Sequence, residues 1–221
     1  GNELWVADLD SEGFLFNKRK IISDQESVFQ PEWSPDGILY FVSDRNGWWN
    51  LYRYNDNQVE IVLEAKAEFG SPMWVFGMSN YVFASSDLII SKYTKNGYWY
   101  IGKINLKANT LEDIELEEGY DFSRSNIEIH QGKIYFGGGS VSKVFSIFKF
   151  NINTNVLNTL KKSMSLDIPL NYISKPEPIK FKTTEEADSH AFFYPPCSND
   201  FVADDNEKPP LIVIIHGGPT G

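Results

Sequence analysis

Four short segments recur along this chain at nearly constant spacing, and that spacing restricts the fold more than any other feature. Glu3-Leu4-Trp5-Val6-Ala7-Asp8, Asn50-Leu51-Tyr52-Arg53-Tyr54-Asn55, Tyr100-Ile101-Gly102-Lys103-Ile104-Asn105 and Ser146-Ile147-Phe148-Lys149-Phe150-Asn151 each read as a strand closing on a turn residue. Leu4, Leu51, Ile101 and Ile147 align at intervals of 47, 50 and 46 residues. A period of about 40 to 50 residues suits a blade of four antiparallel strands in a radial array. A second register supports the first: Pro31-Glu32-Trp33 recurs as Pro72-Met73-Trp74, and Leu39-Tyr40-Phe41 as Ile134-Tyr135-Phe136. An antiparallel sandwich with regular hairpins is the competing architecture. The recurrence of aromatic positions, which a blade needs to fill the wedge between neighbouring sheets, favours the propeller.

Within the best-formed unit, Trp33-Ser34-Pro35-Asp36-Gly37 has the proline and Asp-Gly chemistry of a tight turn. Ile38 to Ser43 is then a strand, Arg45-Asn46-Gly47 the next turn, Trp48 to Tyr54 the third strand and Gln58 to Leu63 the fourth. Leu111 to Leu116 alternates with acidic residues at period two and reads as an edge strand. Helical periodicity is scarce before residue 165. Beyond Leu166, Pro169, Pro176 and Pro178 interrupt any regular blade. The chain therefore divides into 1–165, a β-propeller portion of about four blades with the first incomplete, and 166–221, a connection leading into a second domain. In that second part, Ile179 to Lys182 and His190 to Tyr194 flank a polar turn and predict a hairpin. A proline-bounded acidic loop from Pro195 to Pro210 follows. Leu211-Ile212-Val213-Ile214-Ile215 then predicts a strand buried on both faces, as in the parallel sheet of an α/β domain, and His216-Gly217-Gly218-Pro219 the turn leaving it.

Hydrophobic residues make up 42% of the chain and aromatic residues 15%, ample for a packed core. A net charge of −10 argues against nucleic acid and anionic membrane as partners. The lone Cys197 allows no intrachain disulfide, and no N-terminal segment has the flanks of a signal peptide or the length of a membrane span. A reducing cytoplasm is the expected location. Three scattered histidines and one cysteine have no metal-ligand spacing, so neither a metal nor another cofactor is expected.

Taken in order, these pieces resemble the prolyl oligopeptidase family of serine peptidases, particularly its acylaminoacyl-peptidase and dipeptidyl-aminopeptidase-like branch. Gln30 to Gly37 and Phe41 to Tyr52 look like that branch's propeller signature. The hairpin ending Tyr194-Pro195-Pro196, the acidic loop and the strand ending His216-Gly217-Gly218-Pro219-Thr220 look like the start of its α/β-hydrolase domain. The resemblance implies a propeller that limits access of substrates by size and a Ser-His-Asp triad acting on peptides. It also implies an oxyanion loop in which Gly218 is the backbone donor, with His216, Gly217 and Pro219 shaping the loop. No Gly-x-Ser-x-Gly elbow occurs, so the nucleophile and the triad acid and base are not in these 221 residues, and the chain alone is expected to be inactive. Ser140, in Gly137-Gly138-Gly139-Ser140, reads as part of a hairpin. His130 and His190 read as surface or packing residues. Some family members anchor a substrate amino terminus with paired glutamates, but Glu117-Glu118 and Glu185-Glu186 sit in no matching motif.

Two other functions fit less of the chain. A propeller module that binds peptides or proteins without chemistry would account for residues 1–165, and an esterase with a β-rich extension for the C-terminal motif. An open propeller also exposes unpaired edges and blade faces, which predicts self-association.

Overall fold

The structure, a computed structural model, describes all residues except 1, 24, 117–119, 123, 124, 205, 216 and 218–221. The chain divides into two compact units: residues Gly1–Gly138 with Ser146–Lys161, and residues Gly139–Phe145 with Lys162–Gly221.

The first unit is built from hairpins in series. A two-stranded sheet, β1 (Leu4–Leu9) and β2 (Leu15–Ile22), comes first. Three four-stranded antiparallel sheets follow among the described residues. They are β3 (Val28–Trp33), β4 (Leu39–Ser43), β5 (Asn50–Asn55) and β6 (Gln58–Ile61); then β7 (Tyr81–Ser85), β8 (Leu88–Lys95), β9 (Tyr98–Asn105) and β10 (Thr110–Asp113); then β11 (Ile127–His130), β12 (Lys133–Gly138), β13 (Ser146–Asn151) and β14 (Val156–Lys162). Within each sheet every strand pairs with its sequence neighbour. Local turn chemistry explains this order. Asp56-Asn57, Asn96-Gly97 and Gln131-Gly132 are two-residue connections with both φ angles positive, the twist that suits a right-handed hairpin.

The four repeated segments fall on β1 of the two-stranded sheet and on β5, β9 and β13, the third strands of the four-stranded sheets. Leu51, Ile101 and Ile147 each precede the strand's terminal Asn by four residues and pair with Val42, Lys92 and Gly137 of the second strand. Each sheet packs on the next through alternate residues. Leu39, Phe41 and Tyr52 face the β1–β2 sheet, where they meet Leu4 and Ile22. Tyr40, Val42 and Leu51 face Tyr81, Ile89, Tyr93 and Ile104. Ile90 and Ile101 face Ile134, Phe136, Phe148 and Phe150. The first strands converge: β7 lies beside β11, and Gln30 of β3 bonds to Tyr81 of β7. Four-stranded sheets that pack face to face in series and converge on their first strands are propeller blades.

Three expectations are corrected. Pro72-Met73-Trp74, aligned in sequence with Pro31-Glu32-Trp33 of β3, is not its structural equivalent and lies outside any strand: the Trp74 N–H closes a turn on the Pro72 carbonyl at 3.0 Å, and Pro72 has no N–H to offer a ladder. Gly137 and Gly138 belong to β12, paired with Ile147 and Ser146, so the connection starts only at Gly139. The edge strand foreseen for 111–116 is β10 and ends at Asp113.

The second unit contains the hairpin of β15 (Glu177–Lys182) and β16 (Asp188–Phe193). Its flanks are tied by the Ser174 hydroxyl to the Pro195 carbonyl at 2.6 Å and by a Tyr172–Asp200 hydrogen bond. Leu211–Ile215, expected as a doubly buried strand, is instead unpaired, with Ile214 91% exposed. A parallel-sheet strand needs neighbours for its backbone groups, and none runs beside it among the described residues. No α-helix occurs among the described residues, and no helix is long and apolar enough to cross a membrane.

Candidate functional site

Of the expected oxyanion loop, only Gly217 is described; a Cβ there would meet no heavy atom within 4 Å. His216, Gly218 and Pro219 lie outside the described residues, as do Glu117 and Glu118. Ser140 organises its own turn: its Oγ accepts the N–H of Ser142 at 3.2 Å and of Lys143 at 3.1 Å. His130 ends β11 and His190 lies on β16. Glu185 and Glu186 sit in the β15–β16 turn with φ of 68° and 59°.

The first unit carries two concavities where the inner strands begin. Their shape depends on a kink in β3. Gln30 has a left-handed backbone, φ 47°, and Pro31 follows it, so the pairing of β3 with β4 breaks between Phe29 and Glu32. A bulge with proline is tolerated because β3 is an edge strand of its sheet. The bulge turns the Gln30 side chain toward the next blade. Its Nε2 donates to the Tyr81 carbonyl at 2.7 Å, and its Oε1 accepts the Asn80 N–H at 2.6 Å. The Tyr81 hydroxyl returns a bond to the Gln30 carbonyl at 2.8 Å. The following blade is tied similarly, with the Ser79 hydroxyl donating to the Ile127 carbonyl and accepting the Ile127 N–H.

Between the inner strands β3, β7 and β11 lies a hollow of about 220 Å³ whose lining includes Glu32, Glu128, Tyr81 and Gln30. Among the described residues no basic one lines it. Burial raises the Glu32 carboxyl above its ordinary range, opposed by a hydrogen bond from Gln30 and reinforced by the Glu128 charge. Beside the hollow, a cleft of about 370 Å³ is formed by Phe29, Gln30 and Pro31 on one wall and residues 73–78 on the other. Gln30 lines both spaces. Sequence reasoning missed both as sites. The run Met73-Trp74-Val75-Phe76 was the cleft's legible signal, since four successive apolar residues outside a strand have no core of their own to enter.

A further charged group is fully enclosed. Lys92 of β8 is 1% exposed, and its ammonium donates to the carbonyls of Phe122, at 3.1 Å, and Ser125. It also lies 5.4 Å from the centre of the Trp99 ring. Burial lowers its pKa to about 8, with the Asp121 charge acting in the opposite direction. The geometry is that of a tie holding the segment between β10 and β11 to β8. Among the described residues no group of three or more His, Cys, Asp or Glu is placed to hold a metal ion.

Radially packed four-stranded sheets with converging first strands define a class, the β-propeller. Solved structures that share this architecture with the chain are puromycin hydrolases and prolyl oligopeptidases. A puromycin hydrolase matches with a TM-score of 0.84 at 24% identity, over 94% of this chain and 32% of its own. A puromycin-hydrolyzing peptidase of Mycobacterium tuberculosis matches with a TM-score of 0.84 at 22% identity, over the same shares. Prolyl oligopeptidase B from Galerina marginata, bound to a 25mer macrocyclization substrate, matches with a TM-score of 0.64 at 12% identity, over 86% of this chain and 26% of its own. At these identities the likeness is one of fold, and the chain spans about a third of the length of the puromycin hydrolases it matches. No protein-family model and no curated protein matches the sequence.

Proposed function

We propose that this chain supplies the propeller blades and the oxyanion loop of a serine peptidase of the prolyl oligopeptidase type, whose Ser-His-Asp triad lies on residues other than these 221. One conjunction carries the reading: a fold shared over 94% of the chain with solved puromycin hydrolases, and a His216-Gly217-Gly218-Pro219 motif after an apolar run. In this reading residues 1–165 are the propeller, which restricts substrates by size, and 166–221 lead into the hydrolase domain. Gly218 donates its backbone N–H to the oxyanion that forms when the serine attacks the peptide carbonyl, and His216, Gly217 and Pro219 set the path of the loop. The substrate is a peptide, the location cytoplasmic, and open blade faces promote self-association.

An oxyanion donor stabilises charge that develops only after nucleophilic attack, so the chain by itself has no peptidase activity. A fluorophosphonate serine probe tests this directly. It is expected to label a longer protein containing this sequence and a downstream Gly-x-Ser-x-Gly, and to leave the 221-residue chain unlabelled. Stoichiometric labelling of Ser140 or any other serine here would overturn the assignment. An unreactive longer protein would favour the non-enzymatic binding module.

A further inference from the structure

We propose that the apolar cleft and the acidic hollow are one peptide-binding site on the propeller, joined at Gln30. The cleft takes an aromatic side chain, and the hollow takes the lysine or arginine side chain next to it. The inference rests on the peptidase reading for its biological setting and on the geometry of the first unit for its chemistry.

The cleft is an unusual expense of exposed apolar surface. Trp74 is 66% exposed and Phe76 107%, with the neighbouring Met73 and Val75 also in solvent. Contiguous apolar surface of this kind marks an interaction site. The segment that bears it is anchored, since the Asn126 side-chain amide donates to the Gly77 carbonyl at 2.8 Å and its carbonyl accepts the Ser79 N–H at 3.1 Å. The opposite wall, Phe29 to Pro31, is held by the Gln30 clasp to β7. A cleft of about 370 Å³ between two anchored walls falls within the range of preformed ligand sites, about 300 to 1,000 Å³.

Charge identifies the occupant's second group. Glu32 and Glu128 approach one hollow from two different blades, and among the described residues none that lines it is basic. Two carboxylates facing a partly desolvated space repel each other and attract a cation. Two are too few for calcium, which takes six to eight oxygen ligands, so an organic cation fits better. Glu32 lies further along β3 than Phe29 and Pro31, which border the cleft. A cation that reaches it from a neighbouring residue needs a long apolar stem, as lysine and arginine have. The net charge of −10 favours the approach of such a peptide.

The test is calorimetric titration of the 221-residue chain with acetyl-Phe-Arg-amide, acetyl-Phe-Glu-amide, acetyl-Ala-Arg-amide and unblocked Phe-Ala-amide. Acetyl-Phe-Arg-amide is expected to bind about tenfold or more tightly than each of the others and to weaken as salt is raised. Glu32→Gln with Glu128→Gln should abolish the preference for Arg over Glu, and Phe76→Ser the preference for Phe over Ala. All three positions are solvent-accessible, and circular dichroism verifies that the variants fold. Equal binding of the Arg and Glu peptides, retention of the charge preference in the double variant, or no binding at all would overturn the proposal. A preference for unblocked Phe-Ala-amide would assign the hollow to a peptide amino terminus and overturn the side-chain assignment. No step uses catalysis, so the result is independent of the serine-probe experiment.

Discussion

Lys92 shows how one enclosed charge makes folding depend on pH. In the folded chain burial makes the ammonium give up its proton near pH 8, whereas an unfolded lysine keeps it to about 10.5. Between those values the unfolded chain binds more protons, so stability rises as pH climbs from about 8 toward 10.5. The shift corresponds to about 3 kcal/mol of penalty at neutral pH that is relieved across the window. Buried tyrosines act in the opposite sense above pH 10, because burial raises Tyr81 and Tyr93 and the unfolded chain then loses protons first. Urea unfolding at pH 7.5 and 9.5 is expected to show the native chain gaining stability and Lys92→Met failing to gain it. Parallel behaviour of the two proteins would refute the account. Nothing in Ile89-Ile90-Ser91-Lys92-Tyr93 marked this lysine, since period two is satisfied whether an outward residue meets water or a neighbouring blade.

At the scale of elements, strands were most legible where a hydrophobic alternation ended on an asparagine. The repeated segments Asn50 to Asn55 and Ser146 to Asn151 mark β5 and β13, although the closing asparagines, read as turn residues, belong to the strands and the strand read as Trp48 to Tyr54 begins only at Asn50. Elements whose form depends on distant partners were less legible. Gln30 and Pro31 were readable as part of a motif, yet the bulge and its clasp on Tyr81 exist only because a second blade presents unpaired backbone groups. Gln30→Leu keeps the volume but strands the Asn80 N–H and the Tyr81 carbonyl, both buried. The expected loss is about 3 kcal/mol, measured by urea unfolding, because each orphaned group costs about 1 to 3 kcal/mol. A loss under about 1 kcal/mol would mean that the clasp does not hold the blades together.

For the whole molecule, equivalent positions meet unequal surroundings. Leu51 and Ile101 are fully covered by the next blade, whereas Ile147 is 47% exposed. At the other end Trp5, alternating away from the buried Leu4, is 51% exposed. Both blade faces are apolar enough to pair. Light scattering of the 221-residue chain over a concentration series is therefore expected to show oligomers, and Ile147→Lys to reduce them. A monodisperse monomer at high concentration would remove self-association from the proposal.

The spacing of Leu4, Leu51, Ile101 and Ile147, with the turn residues between strands, was enough to locate β5, β9 and β13 as equivalent strands of successive four-stranded sheets. Hairpin pairing joins neighbours in sequence, and its signals are local. Only the tertiary structure decided what each face meets: that Lys92 is enclosed and that Glu32 and Glu128 share one hollow. Those outcomes depend on contacts between residues far apart in the chain, and a strand's alternation specifies two faces without specifying what covers them.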